Sequence, residues 1–271
     1  MTDTVTDFAE EVRRHRSRGG EAPIRWRACL DSTNEEAFRL AERELAPEGT
    51  AVAADAQTKG RGRLGRAWFS PPGAGLYLSV LLRPPESASS PALLTLVAGV
   101  AVAEALEREA GRGPRLKWPN DLLYGGLKVG GILTEARAGR GRAVTAVVGI
   151  GVNVLQRPED FPPEIRLTAT SVAAATGRRP ERAALAAGIL DALDAGYRDW
   201  LRHGFGRAAE AWRRKTSTLG KRVRFVQGGL PVEGWARDLA EDGSLVVETP
   251  SGVTRIRSGE VTEIKVAECS S

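Results

Sequence analysis

The hydrophobic positions along this chain follow two spacings, one typical of helices and the other of strands. Apolar residues that recur every three or four positions mark one face of a helix, whereas short apolar runs mark strands. The first spacing predicts helices at residues 37–45, 93–106, 181–202 and 205–214. The second predicts strands at residues 50–54, 76–82, 115–118, 122–124, 127–136 and 143–154. Because the two kinds of element are mixed without strict alternation, the pattern favours an α+β fold over a doubly wound α/β fold.

The pattern changes near Gly220, after which short strand-like runs alternate with turn signals. Asp242-Gly243 between two such runs is a strong hairpin signal, and Gly228-Gly229 marks a further turn. A series of consecutive hairpins over about 50 residues predicts a small C-terminal β-barrel. We therefore expect a polar N-terminal arm at residues 1–25, a large mixed domain at 26–217 and the barrel at 218–271.

The rare residues exclude several classes of function. The chain has two histidines and two cysteines and contains no CxxC or HExxH motif, so a zinc site is not expected. Neither His15 nor His203 accompanies a glycine-framed serine, which argues against a Ser-His-Asp hydrolase. The few cysteines and the absence of a signal peptide predict a cytoplasmic protein. No apolar run approaches the roughly 20 residues that a membrane span needs.

The net charge of +5 is concentrated locally, because residues 207–224 hold seven Lys or Arg against one Glu. Such a stretch is compatible with a polyanionic partner. A solvated helix face explains it as well, and we favour that interpretation. Residues 1–25 are too few for an independent DNA-binding domain, which needs at least about 40 residues. We therefore expect no sequence-specific DNA binding.

The strongest local signal is the segment at residues 57–66, QTKGRGRLGR, in which three arginines alternate with three glycines. Glycines let the backbone approach a ligand, and arginines supply paired donors that match phosphate and carboxylate oxygens. The segment lacks the GxxxxGK[ST] pattern of a Walker-type phosphate loop. A flexible basic loop or an RNA-contacting segment is the alternative. The aromatic and proline residues that follow should order one end of the loop, which favours a ligand-binding role.

Two further clusters add charge. Lys117 and Asp121 flank a rigid turn at Pro119; the lysine can meet phosphate, and the carboxylate can hold a metal ion or accept a proton. A strand end with a capping aspartate is an equal alternative. Lys128 lies between the glycine pairs 125–126 and 130–131, a framing that suits a lysine in a tight site.

The segment GIGVN at residues 149–153 lacks the third glycine of a dinucleotide fingerprint, so a Rossmann site is not expected. Asn153 can bond a ligand at the strand end, although a structural role is nearly as compatible. Taken together, the cations suit an anionic transition state, and the chain offers no obvious protein nucleophile. The cations are Arg61, Arg63, Arg66, Lys117 and Lys128. Five cations without a protein nucleophile predict a reaction in which the substrate brings the nucleophile.

Taken in order, the motifs resemble those of biotin protein ligases. They are Ser32-Thr33-Asn34, QxxGRGRxGRxWxSP at 57–71, KWPND at 117–121, KxxGILxE at 128–135 and GxGxN at 149–153. Their order and spacing match over about 120 residues, and the β-rich C-terminal segment agrees as well. The resemblance implies a mixed-sheet catalytic domain of the biotin/lipoate ligase type with a small C-terminal β-barrel. Within the family, the chain resembles the ligase-only type, which has no N-terminal DNA-binding domain.

The family's reaction has two steps. The biotin carboxylate attacks the α-phosphate of ATP in the presence of Mg²⁺, which gives biotinyl-5′-AMP and pyrophosphate. A lysine of a biotin carboxyl carrier domain then attacks this anhydride and releases AMP. The resemblance implies biotin and ATP as substrates and that carrier domain as partner, and it leaves the oligomeric state open. The glycine-rich loop is expected to order on ligand binding and to shield the anhydride from water.

By motif position, the resemblance implies that Ser32, Thr33 and Gln57 face the ureido ring of biotin, whose donors and acceptor suit hydroxyl and amide groups. Asn34 binds biotin there or supports the turn. The glycines implied to line the biotin site are Gly60, Gly62, Gly130 and Gly131.

The cations are implied to act on carboxylate and phosphate oxygens. Arg61 and Arg63 close over biotin and the α-phosphate, and Arg66 reaches the outer phosphates. Lys128 steers the carboxylate and stabilises charge on the transferring phosphoryl group, while Lys117 contacts phosphate.

The remaining implied residues lie near the nucleotide. Trp68 forms an apolar wall beside the adenylate, and Asn120 and Asn153 contact ATP. Asp121 helps to bind Mg²⁺ or receives a proton from the acceptor lysine. The implied catalytic set is Arg63, Lys117, Asp121 and Lys128.

Three alternatives accompany this hypothesis. A lipoate- or octanoate-transferring enzyme shares the fold and a similarly placed lysine, but the pair QxxGRGR and KWPND favours biotin. A nucleic-acid-binding module explains the basic loop and the charge, yet it leaves Ser32-Thr33-Asn34 and the framed Lys128 without a role. The third alternative is an inactive ligase that serves as a scaffold. The presence of Arg63, Lys117 and Lys128 argues against this interpretation.

Overall fold

The computed structural model describes residues 7–17, 22–43, 46–85, 90–138 and 144–264. The helices are α1 (Phe8–His15), α2 (Thr33–Arg43), α3 (Pro91–Ala110), α4 (Val172–Thr176), α5 (Arg182–His203) and α6 (Gly206–Lys215). Residues 44, 45 and 143, at the ends of predicted elements, lie outside the described ranges, as do parts of the predicted N-terminal arm and C-terminal segment. In the part of the chain that is described, no helix is both long and apolar enough to cross a membrane.

Twelve strands are described, in two sheets. Those of the first sheet are β1 (Ile24–Leu30), β2 (Ala51–Gln57), β3 (Gly75–Leu82), β4 (Arg115–Lys117), β5 (Asp121–Tyr124), β6 (Leu127–Ala138) and β7 (Val144–Asn153). Those of the second are β8 (Arg222–Gln227), β9 (Leu230–Leu239), β10 (Leu245–Thr249), β11 (Gly252–Ile256) and β12 (Thr262–Glu263).

The first sheet has the order β1-β2-β3-β7-β6-β5-β4. Only the β1–β2 pair is parallel, and every other neighbouring pair in this sheet is antiparallel. The sheet is therefore mixed and forms an α+β domain, which confirms the predicted fold class. β2 continues to Gln57, three residues past the predicted end of this strand.

The central strands β3 and β7 alternate between two faces, since successive side chains of a strand point to opposite sides. Leu78, Val80 and Val148 belong to the main hydrophobic core, which includes α3 and α5. Their neighbours Ser79 and Gly149 are paired with each other across the two strands. One face of the sheet is thus covered by the apolar helices of the main core. The other packs Leu81 and Val147 against α2 and, beside them, presents the small and polar pair Ser79 and Gly149.

Helix α3 forms because a Ser-Pro start and a glycine end enclose a long apolar run. The Ser90 hydroxyl accepts a hydrogen bond from the Leu93 backbone N–H. Pro91 lies in the first turn, where its missing backbone N–H costs no hydrogen bond within the helix. Gly111 ends the helix with a left-handed backbone (φ 70°). The helix is apolar around most of its circumference, which fits its burial between the sheet and α5.

The predicted N-terminal arm contains a helix that the sequence pattern did not predict. In α1, Ala9 and Val12 are buried, and the helix packs against α5. Asp191 of α5 forms an ion pair with Arg16 and accepts hydrogen bonds from the backbone N–H and the hydroxyl of Ser17. The helix is only eight residues long and polar overall, so too few apolar positions mark it in the sequence.

The C-terminal strands form an antiparallel sheet in the order β11-β10-β9-β8-β12. The predicted hairpin turns occur, and Gly229 and Gly243 have positive φ angles of 81° and 78°. Gln227 donates to Thr254 at 3.2 Å and so links β8 to β11. Closure of this sheet into a barrel and the division of the chain at residues 217 and 218 remain predictions.

Trp118 joins the two sheets. Its side chain is 2% exposed, and its indole N–H donates to the Gly243 carbonyl at 3.1 Å. Its backbone N–H donates to the Thr218 hydroxyl at 2.9 Å. The KWPND turn is therefore fixed against the C-terminal sheet.

Truncating a buried side chain of α3 should destabilise the protein strongly. Leu106 is 0% exposed, so Leu106→Ala should lower the free energy of unfolding by about 2–5 kcal/mol through lost burial and the cavity that remains. The matched control is Leu167→Ala at a side chain that is 86% exposed, which should change it by less than about 0.5 kcal/mol. Urea denaturation measures both; equal losses would contradict the packing described.

Candidate functional site

A cavity of about 340 Å³ lies against the face of the first sheet that carries the glycines of β6 and β7. The start of α2, the glycine-rich loop and residues 260–262 complete its wall. The predicted residues that line it are Ser32, Thr33, Asn34, Gln57, Arg61, Gly62, Arg63, Arg66, Trp68, Lys117, Asn120, Asp121, Lys128, Gly131 and Asn153.

Two predicted residues, Gly60 and Gly130, serve close packing of the backbone instead of lining this cavity. A Cβ atom at Gly60 would lie 2.6 Å from the Trp68 carbonyl oxygen. One at Gly130 would lie 3.0 Å from the Gly151 carbonyl oxygen. Both positions therefore need glycine for the approach of a neighbouring chain segment.

One end of the cavity is polar and internally hydrogen-bonded. Gln57 Oε1 accepts from the backbone N–H and the hydroxyl of Thr33 at 2.9 and 3.1 Å. Gln57 Nε2 donates to the Ser70 hydroxyl at 2.9 Å. Thr33 Oγ1 also lies 2.7 Å from the hydroxyl of Ser79, which is 0% exposed. Thr33 is thus held at the start of α2 in one orientation, and Ser32 beside it is buried to the same extent, each being 4% exposed.

Asn34 occupies the space that a side chain at residue 149 would fill. A Cβ atom at Gly149 would lie 2.2 Å from Asn34 Oδ1. This oxygen accepts from the Ser79 hydroxyl at 2.6 Å, and Asn34 Nδ2 donates to Glu135 Oε2 at 2.8 Å. Both ends of the amide therefore have protein partners, which favours the supporting role over direct biotin binding.

Trp68 forms the apolar wall and lies directly on the backbone of β6 and β7. A Cβ atom at Gly151 would lie 2.5 Å from Trp68 Cε2, and one at Gly131 would lie 3.4 Å from Trp68 Cζ3. The indole N–H of Trp68 is buried and has no hydrogen-bond partner in the structure. An unpaired buried donor at the wall of a cavity is suited to a ligand acceptor.

Lys128 projects from the glycine-framed start of β6. Its ammonium group lies 2.6 Å from Asp121 Oδ1 and 5.4 Å from the centre of the Trp68 ring. Its backbone is fixed on both sides, because its N–H donates to the Thr168 carbonyl and its carbonyl accepts from the Thr170 N–H. The cavity thus holds one ammonium group between a carboxylate and an aromatic face.

Arg63 points into the cavity from the loop and donates to Asn120 Oδ1 at 3.0 Å. Burial lowers the pKa of its guanidinium, against the attraction of Asp121 and Glu260. The charged form persists at neutral pH, because the ordinary pKa of an arginine lies far above neutrality. Lys117 lines the same wall and is paired with Asp121 in the register of β4 and β5.

The other two loop arginines are paired with acidic residues that sequence reasoning did not assign to the site. Arg61 lies 2.7 Å from Glu35 and 2.8 Å from Glu135. Arg66 forms a paired contact with Glu260, at 2.5 and 2.7 Å. Glu260 could not be found from its local sequence, because it lies 194 residues from its partner.

The carboxylate of Glu35, near the start of α2, is directed to Arg61 and Arg137. The Arg137 hydrogen bond is the main cause that lowers the pKa of Glu35, and burial opposes it. Glu35 is therefore ionised and forms part of the site wall's support.

Asn153 has the structural role that the sequence left open. It is 4% exposed, and its amide donates to the Thr170 carbonyl at 3.0 Å. It fixes the segment that pairs with Lys128 while remaining on the cavity wall.

Among the described residues, no group of three or more His, Cys, Asp or Glu side chains could hold a metal ion. Asp121 and Glu260 are the carboxylates on the described cavity wall. Such a site fits an ion held mainly by substrate phosphates, since Mg²⁺ commonly uses one or two carboxylates with phosphates and water.

Comparison with known proteins finds similarity to biotin protein ligases over most of the chain. The model of the Biotin/lipoate A/B protein ligase family matches residues 26–153, and that of the Biotin protein ligase C terminal domain matches residues 218–262. The chain is 40% identical to the bifunctional ligase/repressor BirA of Bacillus subtilis, over 86% of this chain and 71% of that protein. It is 33% identical to the biotin--[acetyl-CoA-carboxylase] ligase of Mycobacterium tuberculosis, over 88% of each.

A solved structure with the same architecture is the biotin protein ligase of Aquifex aeolicus in complex with biotin and ATP. The TM-score is 0.77 at 35% sequence identity, and the match covers 90% of this chain and 99% of that chain.

Adding one methyl group at residue 149 should disturb the polar end of the cavity. Gly149→Ala should lower the free energy of unfolding by about 1–3 kcal/mol, because the new Cβ would overlap an amide that Ser79 holds in place. The control is Gly99→Ala in α3, where a Cβ has an ordinary 3.7 Å contact and alanine favours the helix. Thermal unfolding compares the two variants; a G149A protein as stable as G99A would refute the close approach.

Proposed function

Because this chain belongs to the biotin protein ligase family, we propose that it joins biotin to a lysine of a biotin carboxyl carrier domain with ATP as the energy source. The observation that supports this most strongly is the cavity itself. It places a polar, internally fixed end beside the cations Arg63, Lys117 and Lys128. The chemistry of biotin requires both features in one site, since its ureido ring and its carboxylate lie at opposite ends of the molecule.

Biotin binds with its ureido ring at the start of α2. Ser32 and Thr33 present hydroxyl groups there, and Gln57 holds Thr33 in place through two hydrogen bonds. Gly62 and Gly131 give the ligand room beside the loop and the sheet. A rigid set of hydroxyl donors and acceptors discriminates strongly against an acid that lacks a matching ring, because polar groups of the site would be left unpaired.

The first step joins the biotin carboxylate to the α-phosphate of ATP. A carboxylate oxygen forms a bond to the α-phosphorus, the bond from that phosphorus to the β-phosphate bridging oxygen breaks, and pyrophosphate leaves. Lys128 and Arg63 stabilise the negative charge that spreads over the transferring group. The Lys128 ammonium lies 2.6 Å from Asp121, so the incoming carboxylate meets a cation already held in position.

The nucleotide lies along the wall formed by Trp68 and the KWPND turn. Lys117 and Asn120 contact phosphate oxygens, and Arg66 exchanges Glu260 for the outer phosphates. The buried Trp68 indole N–H donates to a ligand acceptor. Asn153 lines this wall and supports it through Thr170.

Asp121 would hold Mg²⁺ from the protein side, and the ion, bound mainly by the phosphates, would neutralise charge on the leaving pyrophosphate. Asp121 also orients Lys128, which stabilises the transferring group, and so contributes to the first step.

The second step uses the acceptor lysine as nucleophile. Its amine forms an amide bond with the biotinyl carbonyl carbon, the anhydride C–O bond breaks, AMP leaves, and the amine loses a proton to solvent or to a nearby carboxylate. The glycine-rich loop covers the anhydride until the acceptor enters. The acceptor is a carrier domain with an exposed lysine, and the protein acts in the cytoplasm.

Pyrophosphate–ATP exchange tests the first step directly. With Mg²⁺, the protein should catalyse exchange when biotin is added and not when lipoate or octanoate is added. Lys128→Ala should reduce the rate by about 10²–10³-fold, as expected for the loss of one preorganised charge-stabilising donor. Lys221→Ala is the matched control, because this exposed lysine pairs with Glu263 and does not line the cavity.

Exchange with lipoate alone would place the protein among lipoate ligases. No exchange with any of the three acids, in protein shown to be folded, would refute the ligase proposal and favour nucleic-acid binding.

The variant Asp121→Asn distinguishes the two roles that the sequence leaves open for this carboxylate, which are binding of Mg²⁺ in the first step and acceptance of a proton in the second. We expect pyrophosphate exchange to fall by at least about tenfold, because the variant loses the carboxylate that orients Lys128 and holds Mg²⁺. Transfer from preformed biotinyl-5′-AMP to a carrier domain should fall much less. A loss confined to the transfer step would instead identify Asp121 as the proton acceptor.

A further inference from the structure

The glycine-rich loop is closed at its base by a short antiparallel pairing. Arg61 and Ala67 form a β-bridge, and the Gly62 N–H donates to the Arg66 carbonyl at 2.7 Å. Outside this pairing, the Trp68 N–H donates to the Gly60 carbonyl at 2.8 Å. A contact that fixes Arg61 therefore fixes the base of the loop, and with it the part of the cavity wall that the loop forms.

Three arginine contacts connect the loop to the rest of the described chain, and they differ in strength. Arg66 and Glu260 are 66% and 47% exposed, so solvent screens their attraction. Arg63 contacts a neutral amide oxygen. Arg61 contacts two carboxylates that are each less than one third exposed, and charge-assisted bonds of this kind are the stronger class. The Arg61 contact is thus the principal anchor of the loop.

Both carboxylates are themselves held by the first sheet and its nearest helix. Glu135 on β6 accepts from Asn34 Nδ2 at 2.8 Å. Glu35 on α2 accepts two bonds from Arg137 at 2.8 and 2.9 Å. Arg137 in turn lies 3.8 Å from the centre of the Phe38 ring. Arg61 and Arg137 therefore share Glu35, and the charge of Arg61 is already neutralised by Glu35 and Glu135.

We propose that Glu35 and Glu135 are positioning residues that anchor Arg61 and thereby hold the loop over the cavity, so that the acyl-adenylate is retained between the two half-reactions. This inference rests on the proposed function in naming the retained intermediate. The anchor itself rests only on the contacts described. It assigns Arg61 to the closure of the loop, whereas Arg63 and Lys128 act on the phosphate.

Limited trypsin digestion tests the anchor without any ligand, because cleavage after Arg63 or Arg66 requires the loop to leave the cavity wall. Glu135→Gln and Glu35→Gln should each accelerate cleavage at these two positions by about tenfold, as expected for losing a charge-assisted bond. The matched control is Glu42→Gln, on the same helix as Glu35, whose contact with Arg137 is longer at 3.7 Å and largely exposed. Loop cleavage no faster than in E42Q would overturn the proposal.

Release of the adenylate tests the consequence. After a single turnover with biotin and ATP labelled at the α-phosphate, labelled adenylate should leave E135Q and E35Q about tenfold faster than the unmodified protein or E42Q. Arg61→Gln should accelerate release similarly, and combining it with E135Q should add little, since both changes remove one interaction. Additive effects, or unchanged release beside faster cleavage, would refute the retention role.

A protein that forms no adenylate would refute the proposed ligase function, and the trypsin result would still decide the anchor. Because Glu35 lies on α2 and Glu135 on β6, each variant tests the anchor independently, and the other still does so if one of them fails to fold.

Discussion

The close approach of side chains to bare backbone on β6 and β7 is the constraint on which the site depends. Gly149 leaves room for the Asn34 amide, and Gly151 and Gly131 leave room for the Trp68 ring. The opposite face of the same strands carries the apolar residues that pack against α3 and α5. The sheet therefore separates a dense core from a surface shaped by the absence of side chains, and ligand groups find their space on that surface.

Charge in the site is arranged in two groups with different tasks. The cluster around Arg61 is internally balanced and fixes the loop, whereas Arg63, Lys117 and Lys128 face the cavity. Balanced pairs of charges stabilise position, because each partner already has its counter-charge. Cations that face a cavity stabilise charge that develops in a reaction. This division explains how one short arginine-rich segment serves both as part of the wall and as part of the reacting site.

The sequence predicted those elements whose apolar pattern is long, such as α3, α5 and β7, because many buried positions reinforce one period. It did not predict α1, in which only Ala9 and Val12 are buried. The lining residues inside the short motifs were predictable from the resemblance of those motifs to a known family, since each motif is contiguous in the sequence. Ser79, Glu35 and Glu260 were not, because their roles arise from contacts between elements that are distant in the chain.

The central claim is that this single cavity carries both half-reactions. Mass spectrometry of a biotin carboxyl carrier domain incubated with the protein, biotin and Mg-ATP tests it most directly. The account predicts the addition of one biotinyl group to one lysine of the carrier domain, dependent on ATP and slowed about 10²–10³-fold by Lys128→Ala. An unmodified carrier domain, with folded protein and all substrates present, would contradict it.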